Sequence, residues 1–323
     1  MKLTYREALR LGLKEALVTH KNSFLIGEDV GAYGGTYAVS KDFLSELGSE
    51  KIIDAPLSEV GFTGLGIGAA MGGMKPIVEI MTVNFALLAF DQIINSAAII
   101  NFMSGGQISI PLVIRMTSGG GRQLAAQHSN SFEGWLAHIP GLKILTPASV
   151  EDARFMLGVA ILDNSPVILI EHALLFNQSG ECRDYIPDFN PYKAQIKKSG
   201  KDLTLITYGG MLARCLKASE EMEKKGREVE VIDLRSLRPL DNETIFTSLK
   251  KTHRVLIVDE GWKSGSLSAE ISARIIESCF YDLDAPVQRL CRKEVPIPYA
   301  HQLEEAIIPQ TADIVLKIEE MLK

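Results

Sequence analysis

Residues 52–85 read IIDAPLSEVGFTGLGIGAAMGGMKPIVEIMTVNF. An apolar run ends, an acid (Glu59) follows, and a glycine- and alanine-rich segment leads into a second apolar run, KPIVEIM. This succession predicts a helix starting near Glu59 and a strand after it. The surroundings are too apolar to welcome a free carboxylate, so Glu59 needs a partner or a chemical task. The plainer account is a first-turn acid favoured by the helix dipole, with Ser58 as N-cap.

The same alternation runs through the first half of the chain. NSFLIGEDV, IPLVIRM, LKILTP and SPVILIE are short Val/Ile/Leu runs separated by helical stretches. Continuous apolar strands between helices predict an α/β fold, with a mainly parallel sheet covered on both faces. Between Asn177 and Lys198 the pattern fails, because QSGECRDYIPDFNPYKAQIKK is polar, contains Pro187 and Pro191 and has no helical period. We read two domains, 1–180 and 199–323, joined by a linker over 181–198. In the second domain KDLTLITYG, EVEVIDLR, HRVLIVDEG and PVQRLC are predicted strands. MLARCLKASEEMEKKG and LSAEISARIIE are predicted helices of a smaller α/β unit.

At 323 residues the chain is long enough for two ordinary domains, and its formal net charge of −6 gives no nucleic-acid footprint. The longest apolar run, Phe85–Ile100, is broken by Asp91, Gln92 and Asn95, so no membrane span is expected. MKLTYREALRLGLKEAL reads as an amphipathic helix rather than a signal peptide. Cys182, Cys215, Cys279 and Cys291 are scattered without a CxxC pair, which fits reduced thiols and a cytoplasmic chain, or a mitochondrial matrix chain in a eukaryote. No phosphate loop, HExxH helix or GxSxG elbow occurs. Gly64, Gly66 and Gly68 match a dinucleotide fingerprint only in part, since SEVGFT interrupts the required strand-to-helix turn. Close helix packing is the better reading of these glycines.

Four further residues could carry chemistry. Asp91 falls within LLAFDQIINSAAII, a predicted helix of mostly apolar neighbours, where a buried acid would need a polar contact. Glu28 follows the strand SFLIG, beyond the carboxyl end where parallel sheets place ligands. Separate structural ion pairs would explain either acid, but three acids in such surroundings favour a shared site. Phe85 follows the strand IVEIMTVN and is either core or a stacking surface. His128 lies in GGGRQLAAQHSNS, a loop without apolar periodicity, as an accessible proton-transfer group would.

At these residues the chain resembles the beta subunits of the thiamine-diphosphate-dependent decarboxylating component of 2-oxo acid dehydrogenase complexes, above all those acting on pyruvate. The resemblance rests on ordered blocks over nearly the whole chain: GEDV, IIDAPLSEVGFTG, GAAMGGMKPIVEIMTVNF, DQIINSAA, MSGGQ, AAQHSNSFEGWLAHIPGLKILTP, DNSPVILIE, DLRSLRPLD, VDEGW and VPIPYA. It implies a transketolase-like pyrimidine-binding domain followed by a transketolase C-terminal-like domain. It further implies that Glu59 meets the ring nitrogen of the thiamine aminopyrimidine and that Phe85 stacks near that ring. Glu28 and Asp91 would join an acidic network between cofactor sites, and His128 would stand near substrate and the incoming lipoyl group. Main-chain oxygens at Leu112, Ala160, Ile161, Asp163 and Ser165 would match a potassium site found in some members. Ser165 replaces an asparagine of some relatives, a change that a carbonyl ligand survives.

Decarboxylation of a 2-oxo acid leaves a carbanion that no side chain stabilises well, so the resemblance implies that the thiazolium acts as electron sink. A carboxyl group that can carry a proton to the pyrimidine would start the reaction, and the apolar setting of Glu59 suits that task. No GDG motif occurs, so an alpha subunit would hold the diphosphate and its magnesium in an alpha2-beta2 heterotetramer. The other implied partners are the lipoyl domain and the peripheral-subunit-binding domain of a dihydrolipoyl acyltransferase. Beta subunits for acetoin or branched-chain 2-oxo acids remain open, as does a noncatalytic scaffold, which retention of Glu59, Phe85 and His128 disfavours.

Overall fold

The computed structural model describes residues Met1–Lys323. In chain order the first elements are β1 (Lys2–Thr4), α1 (Tyr5–Thr19), β2 (Ser23–Gly27), α2 (Phe43–Leu47), β3 (Ile52–Asp54), α3 (Glu59–Met71) and β4 (Lys75–Ile80). There follow α4 (Ile100–Met103), β5 (Val113–Ser118), α5 (Glu133–Ala137), β6 (Lys143–Leu145), α6 (Val150–Ala160), β7 (Val167–His172) and β8 (Ser179–Glu181). The remainder forms β9 (Gln195–Lys198), β10 (Leu203–Thr207), α7 (Met211–Glu223), β11 (Val229–Asp233), β12 (Ser236–Arg238) and α8 (Asn242–Thr252). The chain ends with β13 (Val255–Trp262), α9 (Leu267–Cys279), β14 (Gln288–Arg292), α10 (His301–Ile307) and α11 (Thr311–Met321).

Two compact units result, and they are not simply sequential. The first contains Met1–Ser118 and Leu136–Pro191; the second contains Gly119–Trp135 and Tyr192–Lys323. The segment around His128 therefore belongs with the second unit, although it lies inside the stretch that the sequence assigns to the first domain. No helix is long and apolar enough to cross a membrane, and the four cysteines are free.

Within the first unit the strands of the main sheet run β6-β7-β5-β4-β2-β3, every neighbouring pair parallel. Strands β2, β5 and β7 are buried along their whole length, as expected of central strands in a parallel sheet covered on both faces. Helix α1 starts with a reciprocal capping box, in which the Glu7 N–H donates to Thr4 Oγ1 and the Thr4 N–H donates to the Glu7 carboxylate. It packs against α6 so closely that a Cβ at Gly12 would lie 2.1 Å from the Arg154 carbonyl oxygen.

The centre of this sheet is not wholly apolar. Arg115 on β5 stands in register with Glu79 on β4. Its guanidinium makes a two-pronged contact with Glu171 on β7, at 2.9 and 2.7 Å, and a further ion pair with Glu79. All three side chains are buried. One guanidinium serves two carboxylates, and burial, helped by Glu79, pushes Glu171 up to about 7 against the pull of Arg115.

In the second unit the strand order is β14-β13-β10-β11-β9, parallel except for the antiparallel β9 at the edge. The predicted linker thus ends in a strand rather than in irregular chain. Strand β9 reads QIKK, and edge strands commonly carry lysines that block further pairing, which gives them the polar look of a linker.

The buried triad yields a stability prediction. Arg115→Met would leave two carboxylates buried without a cation and should cost about 3–5 kcal/mol. Glu171→Gln should cost distinctly less, because burial already drives that group toward its neutral form. Urea unfolding midpoints compare the two; equal losses would mean that the guanidinium does not hold the cluster.

Candidate active site

Three neighbouring strands bring the first set of candidate residues to one edge. Strand β2 lies between β3 and β4, parallel to both, with Gly27 opposite Asp54 on one side and Glu79 on the other. Their carboxyl ends therefore emerge together, where open parallel sheets bind ligands. Glu28 directly follows β2, the chain from β3 reaches Glu59 at the first turn of α3, and the chain from β4 reaches Phe85.

Glu28 and Glu59 are buried there, 7% and 4% exposed. Burial first, and the neighbouring Glu59 charge second, hold Glu28 above the usual glutamate range, while a hydrogen bond from the Ser58 backbone opposes them in part. Glu28 Oε1 is enclosed without a hydrogen-bond partner. Ser58 occupies the N-cap position of α3 as predicted, yet its side chain makes no capping bond. Two carboxyl groups in such proximity cannot both ionise cheaply, and an orphaned acceptor beside them suits a bound group that supplies donors.

Gly64 and Gly66 of α3 serve close packing, whereas a Cβ at Gly68 would meet nothing within 4 Å, so the packing expectation does not extend to it. A Cβ at Gly66 would lie 2.6 Å from Val78 Cγ2 on β4, and one at Gly64 would lie 3.1 Å from Gln92 Oε1. Asp54, which the sequence reading passed over, accepts from the backbone N–H groups of Gly31 and Ala32, the latter at 2.8 Å. It thereby fixes the loop that follows Glu28. Its only sequence signal is an acid at the end of an apolar run.

Phe85 is half-buried and opens a short 3-10 helix, Phe85–Ala89. Asp91 departs from expectation. It is exposed rather than buried, and its carboxylate accepts from Asn95 Nδ2 at 2.8 Å and Gln92 Nε2 at 3.4 Å. The reason is local geometry: a 3-10 helix gives way to a π-helix at Gln92–Ala97, so positions that a uniform α-helical period would bury are turned outward.

Of the potassium candidates, Ala160, Ile161, Asp163 and Ser165 lie at the end of α6 and the turn into β7 and Leu112 directly before β5; the carbonyls of Leu112, Ala160 and Ile161 are engaged. The Leu112 carbonyl accepts from the Val167 N–H at 2.9 Å and the Ala160 carbonyl from the Asp163 N–H at 3.1 Å. The Asp163 carboxylate accepts from the Ser165 N–H at 3.0 Å. The Lys75 ammonium donates to the Ile161 carbonyl at 2.7 Å. A potassium ion there would share the Ile161 carbonyl with a fixed like charge.

His128 is exposed in an irregular loop of the second unit. Glu260, Arg292 and Glu304 of the same unit hold that loop by its backbone: the Gly120 N–H donates to Glu260 at 2.7 Å and the Gly121 and Gln123 N–H groups donate to Glu304 at 2.8 and 2.9 Å. Arg292 donates to the Ser129 carbonyl at 3.1 Å and to Glu260 at 2.6 Å. None of these three carries a local sequence signal.

The Glu28 shift carries a sign. An unfolded chain releases that proton near 4.5, whereas the folded chain keeps it to higher pH. The folded state thus binds more protons above 4.5, and stability falls as pH rises through that window. Glu28→Gln cannot ionise, so its melting temperature should match the native chain's near pH 4 and exceed it by a few degrees at pH 8. A difference independent of pH would rule out the charged, buried Glu28 as its source.

The comparisons with known proteins accord with this geometry. Residues 1–178 match the family described as "Transketolase, pyrimidine binding domain" and residues 192–314 match "Transketolase, C-terminal domain". A rice protein named pyruvate dehydrogenase E1 component subunit beta-1, mitochondrial, is 45% identical, over 97% of this chain and 85% of the rice protein. The yeast (Saccharomyces cerevisiae) protein named pyruvate dehydrogenase E1 component subunit beta, mitochondrial, is 44% identical over 99% and 89% of the two chains. The Rhizobium meliloti protein of the corresponding name is 43% identical over 97% and 68%. A solved structure described as a split-gene transketolase, inactive beta4 tetramer, superposes with a TM-score of 0.80 at 23% identity, covering 99% of this chain and 98% of the other, and so shares the fold. With both domains matched in order and full-length identity at this level, the chain belongs to the pyruvate dehydrogenase E1 component beta-subunit family.

Proposed function

We propose that this chain is the beta half of a thiamine-diphosphate-dependent pyruvate dehydrogenase, decarboxylating pyruvate and passing the acetyl group to a lipoyl group. The single observation that carries the reading is the buried Glu28–Glu59 pair beyond the ends of β2 and β3, in a chain that matches the pyrimidine-binding family. The names of the relatives favour pyruvate over acetoin or branched-chain substrates.

Thiamine diphosphate, when bound, supplies the electron sink for the carbanion left by decarboxylation. The residues of this chain prepare the site for it. Glu59 would meet the aminopyrimidine nitrogen, with Phe85 offering an apolar face beside it. Glu28, whose hold on a proton burial and the neighbouring Glu59 strengthen, would stand beside Glu59 at that ring. Exclusion of water from both carboxyls strengthens their hydrogen bonds to a bound ring. His128, exposed on its loop, would take part when the acyl group moves to the lipoyl group.

The diphosphate and magnesium are assigned to an alpha chain, because the sequence has no GDG motif. An exposed apolar surface on the first unit supports such a partner. Leu57, Leu65, Leu88, Phe102 and Met103 are all more than half exposed, and α3 is apolar around much of its circumference. Potassium lacks comparable support, given the Lys75 ammonium on Ile161.

The reading is tested in the assembled enzyme. Glu59→Gln should leave the fold and most cofactor binding intact while decarboxylation falls by roughly a hundredfold, the scale of lost acid–base help. Activity close to native would make Glu59 merely a helix-start acid. His128→Ala should impair reductive acylation of a lipoyl domain more than decarboxylation measured with an artificial electron acceptor. Equal losses in the two assays would remove His128 from acyl transfer.

A further inference from the structure

The loop that carries His128 is held in an unusual backbone state. Gly119 and Gly121 have φ of 92° and 95°, and the non-glycine residues Gln123 and Ala125 have φ of 56° and 61°. Non-glycine residues in this left-handed region cost on the order of 1 kcal/mol each and persist only where the surroundings over-determine them. Those surroundings are visible. Glu304 is fully buried, and its two carboxylate oxygens accept separately from Gly121 and Gln123, the residues on either side of Arg122. Glu260 accepts from Gly120, and Arg292 ties Glu260 to the Ser129 carbonyl at the far end of the loop. Space is tight as well: a Cβ at Gly120 would lie 2.9 Å from Ile308 Cδ1 and 3.4 Å from Glu304 Oε1. The loop is thus fastened before and after His128.

We propose that Glu304, together with the Glu260–Arg292 pair, is a positioning device that presents His128 for acyl transfer to the lipoyl group. None of the three is a catalytic residue; each acts through the loop. Buried carboxylates are costly unless fully hydrogen-bonded, and here backbone N–H groups meet that need while being fixed by it. The inference rests on the reading that His128 serves acyl transfer.

The test uses the assembled enzyme with Glu304→Gln and Glu304→Ala. Glutamine keeps the shape but turns an NH2 group toward one of the two N–H donors, so it should loosen the loop less than alanine and guards against a folding failure. Hydrogen exchange over residues 119–131 reads the loop directly, and the amides there should exchange roughly tenfold faster or more in the alanine variant. Reductive acylation of a free lipoyl domain should fall roughly tenfold, the scale of a small misplacement, while decarboxylation with an artificial acceptor stays within about twofold. Unchanged exchange would overturn the proposal, as would equal loss in both assays. Faster exchange with unchanged acylation would also overturn it, and His128→Ala then separates the causes. If His128→Ala impairs acylation, only the positioning idea has failed; if it does not, the role of His128 has failed with it.

Discussion

Two carboxyl groups buried side by side constrain this molecule more than any other feature of its first unit. Glu28 and Glu59 reach one place because β2 and β3 are parallel neighbours, so any strand order that separated them would dissolve the pair. Burial of acids is normally avoided, and here one acceptor oxygen has no partner in the chain. Such an arrangement persists in a fold when binding compensates it. Gly66 of α3 belongs to the same constraint, since it lets the helix lie close on β4 with its first turn against the strand ends.

The sheet tolerates this edge because its centre is fixed by a different device. Arg115 links β4, β5 and β7 through two buried carboxylates, a contact with geometry that apolar side chains would not impose. Buried ion pairs add little net stability over apolar packing, yet removal of one member is expensive. The triad is therefore better understood as fixing register across the three strands than as a source of free energy.

In the second unit the same chemistry serves a loop. Carboxylates of Glu260 and Glu304 accept backbone N–H groups that no helix or strand could satisfy, and the loop adopts torsions that a free chain would rarely visit. The relatives named as pyruvate dehydrogenase subunits place the chain in a family, and the distances show how the loop on either side of His128 is fastened.

Much of this was legible in the residues. The strands around NSFLIGEDV, KPIVEIM, IPLVIRM and SPVILIE follow from continuous apolar runs, and the position of Glu28 follows from where such a run stops. Glu59 stood out because an acid in apolar company is informative by its cost alone. The exposure of Asp91 was not legible, since a change from 3-10 to π turns alters which face a residue occupies without altering composition. Strand β9 was hidden by its edge lysines. Glu260, Arg292 and Glu304 were hidden for a deeper reason: they lie 140 to 183 positions from the backbone groups they bind, and no local pattern encodes a partner that distant. Composition and order along the chain were enough for the central strands, their apolar faces and the acids that needed explaining. Which acids share a site and which hold a loop emerges in three dimensions alone, because hydrogen-bond partners are chosen by proximity in space.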